Sequence, residues 1–160
     1  MPHYLEWLGQ YLGPAMAAAH PHVGILAWDH NKLASAEYVS AIAGDAAAAA
    51  HWWGTAVHWY DYGAKDGLGL EQLDAIHALA PSKPLLATEA CFLESLAYSW
   101  TVGFLYAADI IADLRHWVGG WTAWNTVLLA GDMYPESYGG PVRGGSLRAR
   151  ARARAAPPPC

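Results

Sequence analysis

Leu85-Leu86-Ala87-Thr88-Glu89-Ala90-Cys91 is the stretch whose reading decides the fold. It follows Pro81-Ser82-Lys83-Pro84, a cluster of turn residues. A short apolar run bounded in this way predicts a buried strand, Pro84–Thr88, of an α/β fold. A single carboxylate, Glu89, stands at its C-terminal end. Parallel α/β enzymes keep their reactive groups at that end, because the loops following the strands converge there. The bland alternative is that Glu89 only caps the next helix.

The flanking sequence decides between them by repetition. Upstream, Val23–Trp28 has strand content and runs into Asp29-His30-Asn31. Thr55–Tyr60 is the next strand and ends in His58-Trp59-Tyr60. Downstream, Trp121–Asn125 predicts a short fourth strand. Helical patterns lie between: Ala34–Ile42, then Ala46–Trp53 capped by Asp45 and closed by Gly54, then Leu70–Leu79 with Leu70, Leu73, Ile76 and Leu79 on one face. The longest, Ser99–Val118, carries a stripe of Tyr106, Ile110, Leu114 and Trp117 and is stopped by Gly119-Gly120. At the N-terminus Tyr4–Leu12 predicts a helix ended by Gly13-Pro14, with a second short helix over Ala15–Ala19. Four strand–helix alternations predict a parallel sheet with helices outside, class α/β. The polar residues Asp29, His58, Glu89 and Asn125 would then share one mouth. Four such units are half of an eight-stranded barrel, and half a barrel leaves apolar edges to be covered.

Composition agrees with one domain and a core. The chain has 160 residues, 54% of them hydrophobic, with nine Trp and nine Tyr against two Phe. Trp and Tyr join a flat apolar face to a polar edge, the combination that sugar rings and their hydroxyls require, although most of these residues are expected to fill the core. The net charge of −5 hides an asymmetry. Residues 1–142 hold four basic residues (Lys32, Lys65, Lys83, Arg115) against all fourteen acids, a formal −10. So acidic a body argues against a nucleic-acid partner. Two cysteines, Cys91 and Cys160, make no disulfide framework. No uninterrupted apolar run is long enough to span a membrane, and Met1–Glu6 lacks the pattern of a signal peptide.

Taken in order, Gly54-Thr55-Ala56-Val57-His58-Trp59-Tyr60, Ala87-Thr88-Glu89-Ala90-Cys91 and Gly120-Trp121-Thr122-Ala123-Trp124-Asn125 resemble motifs of glycoside hydrolase family 30, and within it the glucosylceramidase branch. Tyr11-Leu12-Gly13-Pro14, Ile25–Lys32 and Gly139-Gly140-Pro141 extend the likeness over residues 4–141. The resemblance implies a (β/α)8 TIM barrel of which this chain holds about strands five to eight, giving a partial barrel over 1–141. It implies a retaining β-glucosidase of glucosylceramide in sphingolipid breakdown, a saposin-type activator, acidic lipid, and a lysosomal or secreted setting. It makes Glu89 the nucleophile. Asp29 and Asn31 would line the glucose site. His58, Trp59 and Tyr60 match the sixth-strand cluster, Cys91 a thiol beside the nucleophile, and Trp124 with Asn125 the eighth-strand motif under the sugar. No cofactor is implied.

A retaining glycosidase uses two carboxyls about 5–5.5 Å apart, one attacking the anomeric carbon and one protonating the leaving oxygen. Tyr60 and His58 are the expected donors to Glu89. His58 could instead be an ordinary barrel histidine and Asp29 a helix cap, while Trp59 and Trp121 fit the core better than the ligand. His20-x-His22 lies in a turn, so a metal is not expected. A Cys91–His58 thiol mechanism is a distant option. The family's acid/base lies in an Asn-Glu-Pro motif that this sequence does not contain. Without a proton donor the reaction loses about 10²–10⁴-fold, so the isolated chain is expected to be nearly inactive and to be a fragment. Ala123 replaces an aspartate common in the eighth-strand motif, and Val102 stands where an arginine faces the cleft. After Pro141 the chain changes to an Arg/Ala/Pro tail, 142–160, expected to be disordered. The rival readings are a family 30 enzyme acting on polysaccharide (a β-1,6-glucanase or xylanase) and a non-catalytic binding module.

Overall fold

The computed structural model describes residues 1–61, 68–91 and 100–124. The chain divides into two units, Met1–Val127 and Leu128–Cys160. The second unit, the expected tail and Asn125 lie outside the described residues.

Four parallel strands form one sheet in the order β1-β2-β3-β4: β1 Ile25–Asn31, β2 Trp52–His58, β3 Leu85–Glu89 and β4 Val118–Trp121. Sequential order with every pair parallel is the progression of a (β/α)8 barrel, here over four strands. Between the strands lie α3 (Ser35–Gly44), the single turn α4 (Ala46–Ala49), α5 (Leu70–Leu79) and α6 (Trp100–Arg115). The sheet buries Ala27, Val57, Leu85, Ala87 and Val118 against Val39 and Ile42 of α3 and Leu73 and Ile76 of α5. Each large aliphatic side chain so buried contributes about 1.5–3 kcal/mol.

Ahead of β1, α1 (Pro2–Glu6), a wide π-type turn (Trp7–Leu12) and α2 (Gly13–Ala19) run as one helical stretch. The expected break at Gly13-Pro14 is absent. The Gly13 N–H reaches five residues back to Leu8 O, and this widening accommodates Pro14 at the start of the next turn. Gly13 serves close packing: a Cβ there would lie 2.2 Å from the ring of His51.

Two more glycine readings are corrected. Gly54 does not close a helix over Ala46–Trp53. That helix is one turn, capped by Asp45 Oδ1 accepting from Ala48 N at 2.9 Å, and Trp52, Trp53 and Gly54 already belong to β2. Trp52 pairs with Ile25 and Gly54 with Leu26, and a Cβ on Gly54 would stand 2.6 Å from Pro84 O. Likewise Gly119 and Gly120 lie inside β4, which pairs Val118, Gly120 and Trp121 with Leu85, Leu86 and Ala87. The strand thus sits upstream of Trp121–Asn125. Trp117, at φ 75°, makes the turn out of α6 instead. Its indole stacks on His77 at 3.8 Å and donates to Asp74, contacts that hold a conformation unfavourable for a bulky residue.

The expected stripe of α6 is also corrected. Its buried residues are Val102, Asp109 and Asp113, while Leu114 and Trp117 are more than half exposed, as are Trp100, Phe104 and Ile111. Two carboxylates occupy the buried face because a lysine waits for them there, as described below.

Candidate active site

Three adjacent strands bring Asn31, His58 and Glu89 level: Asn31 pairs with His58, and His58 with Glu89. The level is reached by two irregularities. On β1, Trp28 pairs with Ala56 and His30 with Val57, leaving Asp29 as an extra residue. On β3, Ala87 pairs with Val57 and Glu89 with His58, leaving Thr88 extra. Bulges of this kind re-aim side chains next to sites. Here they let two strands that are not neighbours touch across β2: Thr88 Oγ1 donates to Asp29 Oδ1 at 2.8 Å.

The β1 bulge is strained. Trp28 (φ 78°) and Asp29 (φ 51°) are both left-handed, at an expense of about 1–2 kcal/mol each. What holds them is on either side. The Trp28 indole N–H donates to Asn31 O and its ring packs 4.9 Å from Tyr38. The Asp29 carboxylate receives Thr88 and His58 Nε2, the latter at 3.1 Å. Since a carboxylate only accepts, the His58 proton on that bond sits on Nε2. The same nitrogen lies 3.8 Å from Glu89 Oε2, so the imidazole stands between two carboxylates. Strand β1 therefore continues through Asp29 and Asn31, beyond the expected end at Trp28.

Glu89 is partly exposed, 22% for its side chain, so it is reachable. Its Oε1 accepts from Tyr60 Oη at 3.2 Å, and that oxygen is also 2.9 Å from Cys91 Sγ. Burial, then the bonds and charges of Cys91 and Glu89, push the Tyr60 phenol far above its usual range. Tyr60 thus stays a proton-bearing donor at any working pH. Asn31 Nδ2 in turn holds Tyr60 O at 3.2 Å, tying the segment after β2 to β1. Asn31 Oδ1 is buried without a hydrogen-bond partner, so Asn31 serves this mouth by tying strands together.

The structure thus brings together Asp29, Asn31, His58, Tyr60, Glu89 and Cys91, with Thr88 as a member that the sequence reading passed over. Trp59 turns the other way. Its ring lies 4.5 Å from Tyr106 of α6 and 6.2 Å from Trp121. Trp124 follows β4 along the exit of β3, where its N–H donates to Ala90 O at 3.0 Å, and its side chain is half exposed. Ala123 is exposed and Val102 is buried on α6. Among the described residues no group of three or more His, Cys, Asp or Glu is arranged to hold a metal ion, and no helix is long and apolar enough to cross a membrane.

The class these observations define is a parallel α/β half-barrel with a reachable glutamate at one strand mouth and hydrogen-bond donors beside it. The chain belongs to glycosyl hydrolase family 30: that family's TIM-barrel domain matches residues 3–141. It is 36% identical over 135 residues to the lysosomal acid glucosylceramidase of Mus musculus, a match covering 79% of this chain and 25% of that protein. Among solved structures it is similar to SrfJ from Salmonella typhimurium, with TM-score 0.65 and 25% identity over 76% of this chain and 27% of that one. An endo-β-1,6-glucanase superposes with TM-score 0.60 and 28% identity over the same shares. The chain spans about a quarter of the length of the curated relatives it matches.

Proposed function

We propose that this chain carries the nucleophile side of a retaining β-glucosidase site for glucosylceramide, with Glu89 as the attacking carboxylate. The observation that carries the proposal is Glu89 itself: an accessible carboxylate at a strand mouth, with the Tyr60 hydroxyl on one oxygen and the His58 imidazole beside the other. Tyr60 aims Oε1 and keeps its proton, so Oε2 is the oxygen left to attack. In that step Oε2 bonds to the anomeric carbon and the bond to the leaving oxygen breaks. Asp29 accepts from sugar hydroxyls, Asn31 braces the mouth through Tyr60 O, and Trp124 offers a face to the ring. Trp59 supports this mouth from behind, and the Cys91 thiol donates to Tyr60 Oη, whose own proton goes to Glu89.

The acid/base carboxyl comes from an Asn-Glu-Pro strand that this sequence does not hold. Alone, therefore, the chain turns over glucosylceramide negligibly. A glycolipid substrate, a saposin-type activator, acidic lipid and a lysosomal or secreted setting belong to the same proposal. The likeness to a lysosomal glucosylceramidase supports the substrate and the compartment. The similarity to an endo-β-1,6-glucanase favours a second reading, a polysaccharide substrate at the same nucleophile.

A dinitrophenyl β-glucoside separates attack from protonation, because its leaving group departs without an acid. Incubated with the folded chain, it is expected to release about one equivalent of dinitrophenolate and to leave a glucosyl ester on the Glu89 peptide, seen by mass spectrometry. Glu89→Gln removes both. A folded chain that labels at another carboxylate, or not at all, refutes the assignment. A β-1,6-glucan oligosaccharide competing better than a glucosyl lipid decides for the second reading.

A further inference from the structure

Lys32 is the largest fully buried side chain among the described residues. It lies just past β1, and its Nζ reaches α6, 3.0 Å from Asp109 Oδ1 and 2.6 Å from Asp113 Oδ1. Asp109 and Asp113 are themselves 3% and 0% exposed. Asp109 also receives the Trp121 indole N–H at 3.2 Å. At the other end of the lysine, the backbone N–H groups of Lys32 and Leu33 donate to the Asp61 carboxylate at 2.7 and 2.9 Å. Lys32 thus ties the mouth of β1 to the segment after β2 through its backbone and to α6 through its ammonium, and Asp109 extends the link to β4. The hydrogen bonds and ion pairs of this cluster run to α6, β4 and Asp61, whereas those of Glu89 run to Tyr60 and His58.

The charges do not balance. With all three groups ionised, one ammonium faces two carboxylates and a net negative charge is buried. Asp113 carries the imbalance. Although its Oδ1 is close to Nζ, neither oxygen is aligned for a hydrogen bond. Burial costs a lone excess charge several kcal/mol unless it is neutralised, and a carboxyl resolves this by taking up a proton.

We propose that Lys32, Asp109 and Asp113 form a buried proton-binding site that fastens α6 to the mouth of β1 more firmly in mildly acidic than in neutral solution. In acid, one proton from solvent converts the Asp113 carboxylate to a carboxylic acid, whose O–H is donated to Asp109. Lys32⁺ and Asp109⁻ remain as a balanced pair. On the way to neutrality the proton returns to solvent and the excess charge comes back.

The surroundings agree in direction. Burial first, then the Asp109 charge, raise Asp113 to about 6, against the lowering pull of Lys32. Burial alone would lower Lys32, but the two aspartates outweigh it and hold the ammonium above its usual value, so the lysine stays charged throughout. From the segment after β2, Asp61 faces the lysine backbone with both oxygens engaged. β4 presents an uncharged indole. Of the two acids of α5, Asp74 is engaged with His116 and Trp117 and Glu71 is exposed in the first turn.

For a carboxyl raised on folding, the stabilising contribution is complete below its unfolded value near 4 and is lost as pH rises through about 6. A shift of one to two pH units corresponds to about 10–100-fold in the folding equilibrium. The experiment follows the carboxyl carbons of Asp-labelled chain by NMR from pH 3.5 to 7.5. One aspartate is expected to titrate near 6, and its signal is absent in Asp113→Asn. Amide hydrogen exchange in α6 is expected to slow on going from pH 7 to pH 5, after correction for intrinsic rates, in wild type and not in the variant. If Asp113→Asn fails to fold, the wild-type titration decides alone. No aspartate titrating above pH 5, or a high titration that persists in Asp113→Asn, overturns the proposal. The readouts need no substrate, so they stand or fall apart from the glycosidase reading.

Discussion

Replacing Lys32 by methionine tests how firmly the two aspartates depend on it. Methionine keeps most of the volume of the lysine stem and removes only the ammonium. Two carboxylates, 0% and 3% exposed, then lose the charge that stood 2.6 and 3.0 Å from them. Removing one partner of a buried ion pair destabilises by about 3–5 kcal/mol, because the other partner is left charged without compensation. Most domains have only about 5–15 kcal/mol in total, so Lys32→Met at neutral pH is expected to remove a large part of the stability. The loss should shrink in acid. Without the ammonium the lowering pull on Asp113 is gone, and a raised carboxyl contributes stability below its folded value. Lowering pH from 7.5 to 4.5 protonates it and returns part of what was lost. Urea unfolding followed by Trp fluorescence at the two pH values measures this. Adding Asp109→Asn and Asp113→Asn to Lys32→Met removes the orphaned charges and is expected to recover at least half of the neutral-pH loss. A Lys32→Met chain within about 1 kcal/mol of wild type at pH 7.5, or a loss that grows on acidification, would refute the reasoning.

Two further outcomes follow from named contacts. Tyr60→Phe deletes the donor to Glu89 Oε1; a hydrogen bond to a charged group contributes about 1.5–3 kcal/mol to the fold, so the urea midpoint is expected to fall, and Glu89, no longer aimed by the hydroxyl, is expected to be glucosylated at least about 10-fold more slowly by the dinitrophenyl glucoside, read from the rate of dinitrophenolate release. Gly13→Ala places a methyl 2.2 Å from the His51 ring; the helix must shift outward, and overpacking of this kind lowers stability by about 1–3 kcal/mol, measurable as a reduced thermal midpoint.

The glycines show where local reading fails. Gly13, Gly54 and Gly119-Gly120 all looked like helix ends, since glycine commonly terminates helices. In the fold Gly13 sits beneath an imidazole, Gly54 beneath Pro84 O, and the pair lies inside β4. A missing Cβ looks the same in sequence whether it serves a turn or a close approach, and only the neighbour across the gap distinguishes them. The termination of α6 fell instead to Trp117, a residue no propensity would choose, because His77 and Asp74 hold it.

By itself the sequence determined the alternation of strand and helix, the limits of α5 at Leu70–Leu79, and the placing of Asp29, His58 and Glu89 at successive strand ends. These depend on hydrophobic period and turn residues, which are local properties. Tertiary structure decided the rest. The bulges at Asp29 and Thr88 turn three strand ends into one site, and bulges arise from pairing between strands rather than from either strand alone. Trp59 turned toward α6 because Tyr106 and Trp121 offered it a cage. Lys32, Asp109 and Asp113 look like solvated charges along the chain. They are buried only because folding brings residues 77 and 81 positions apart within ion-pair distance, and no local pattern records a partner that remote.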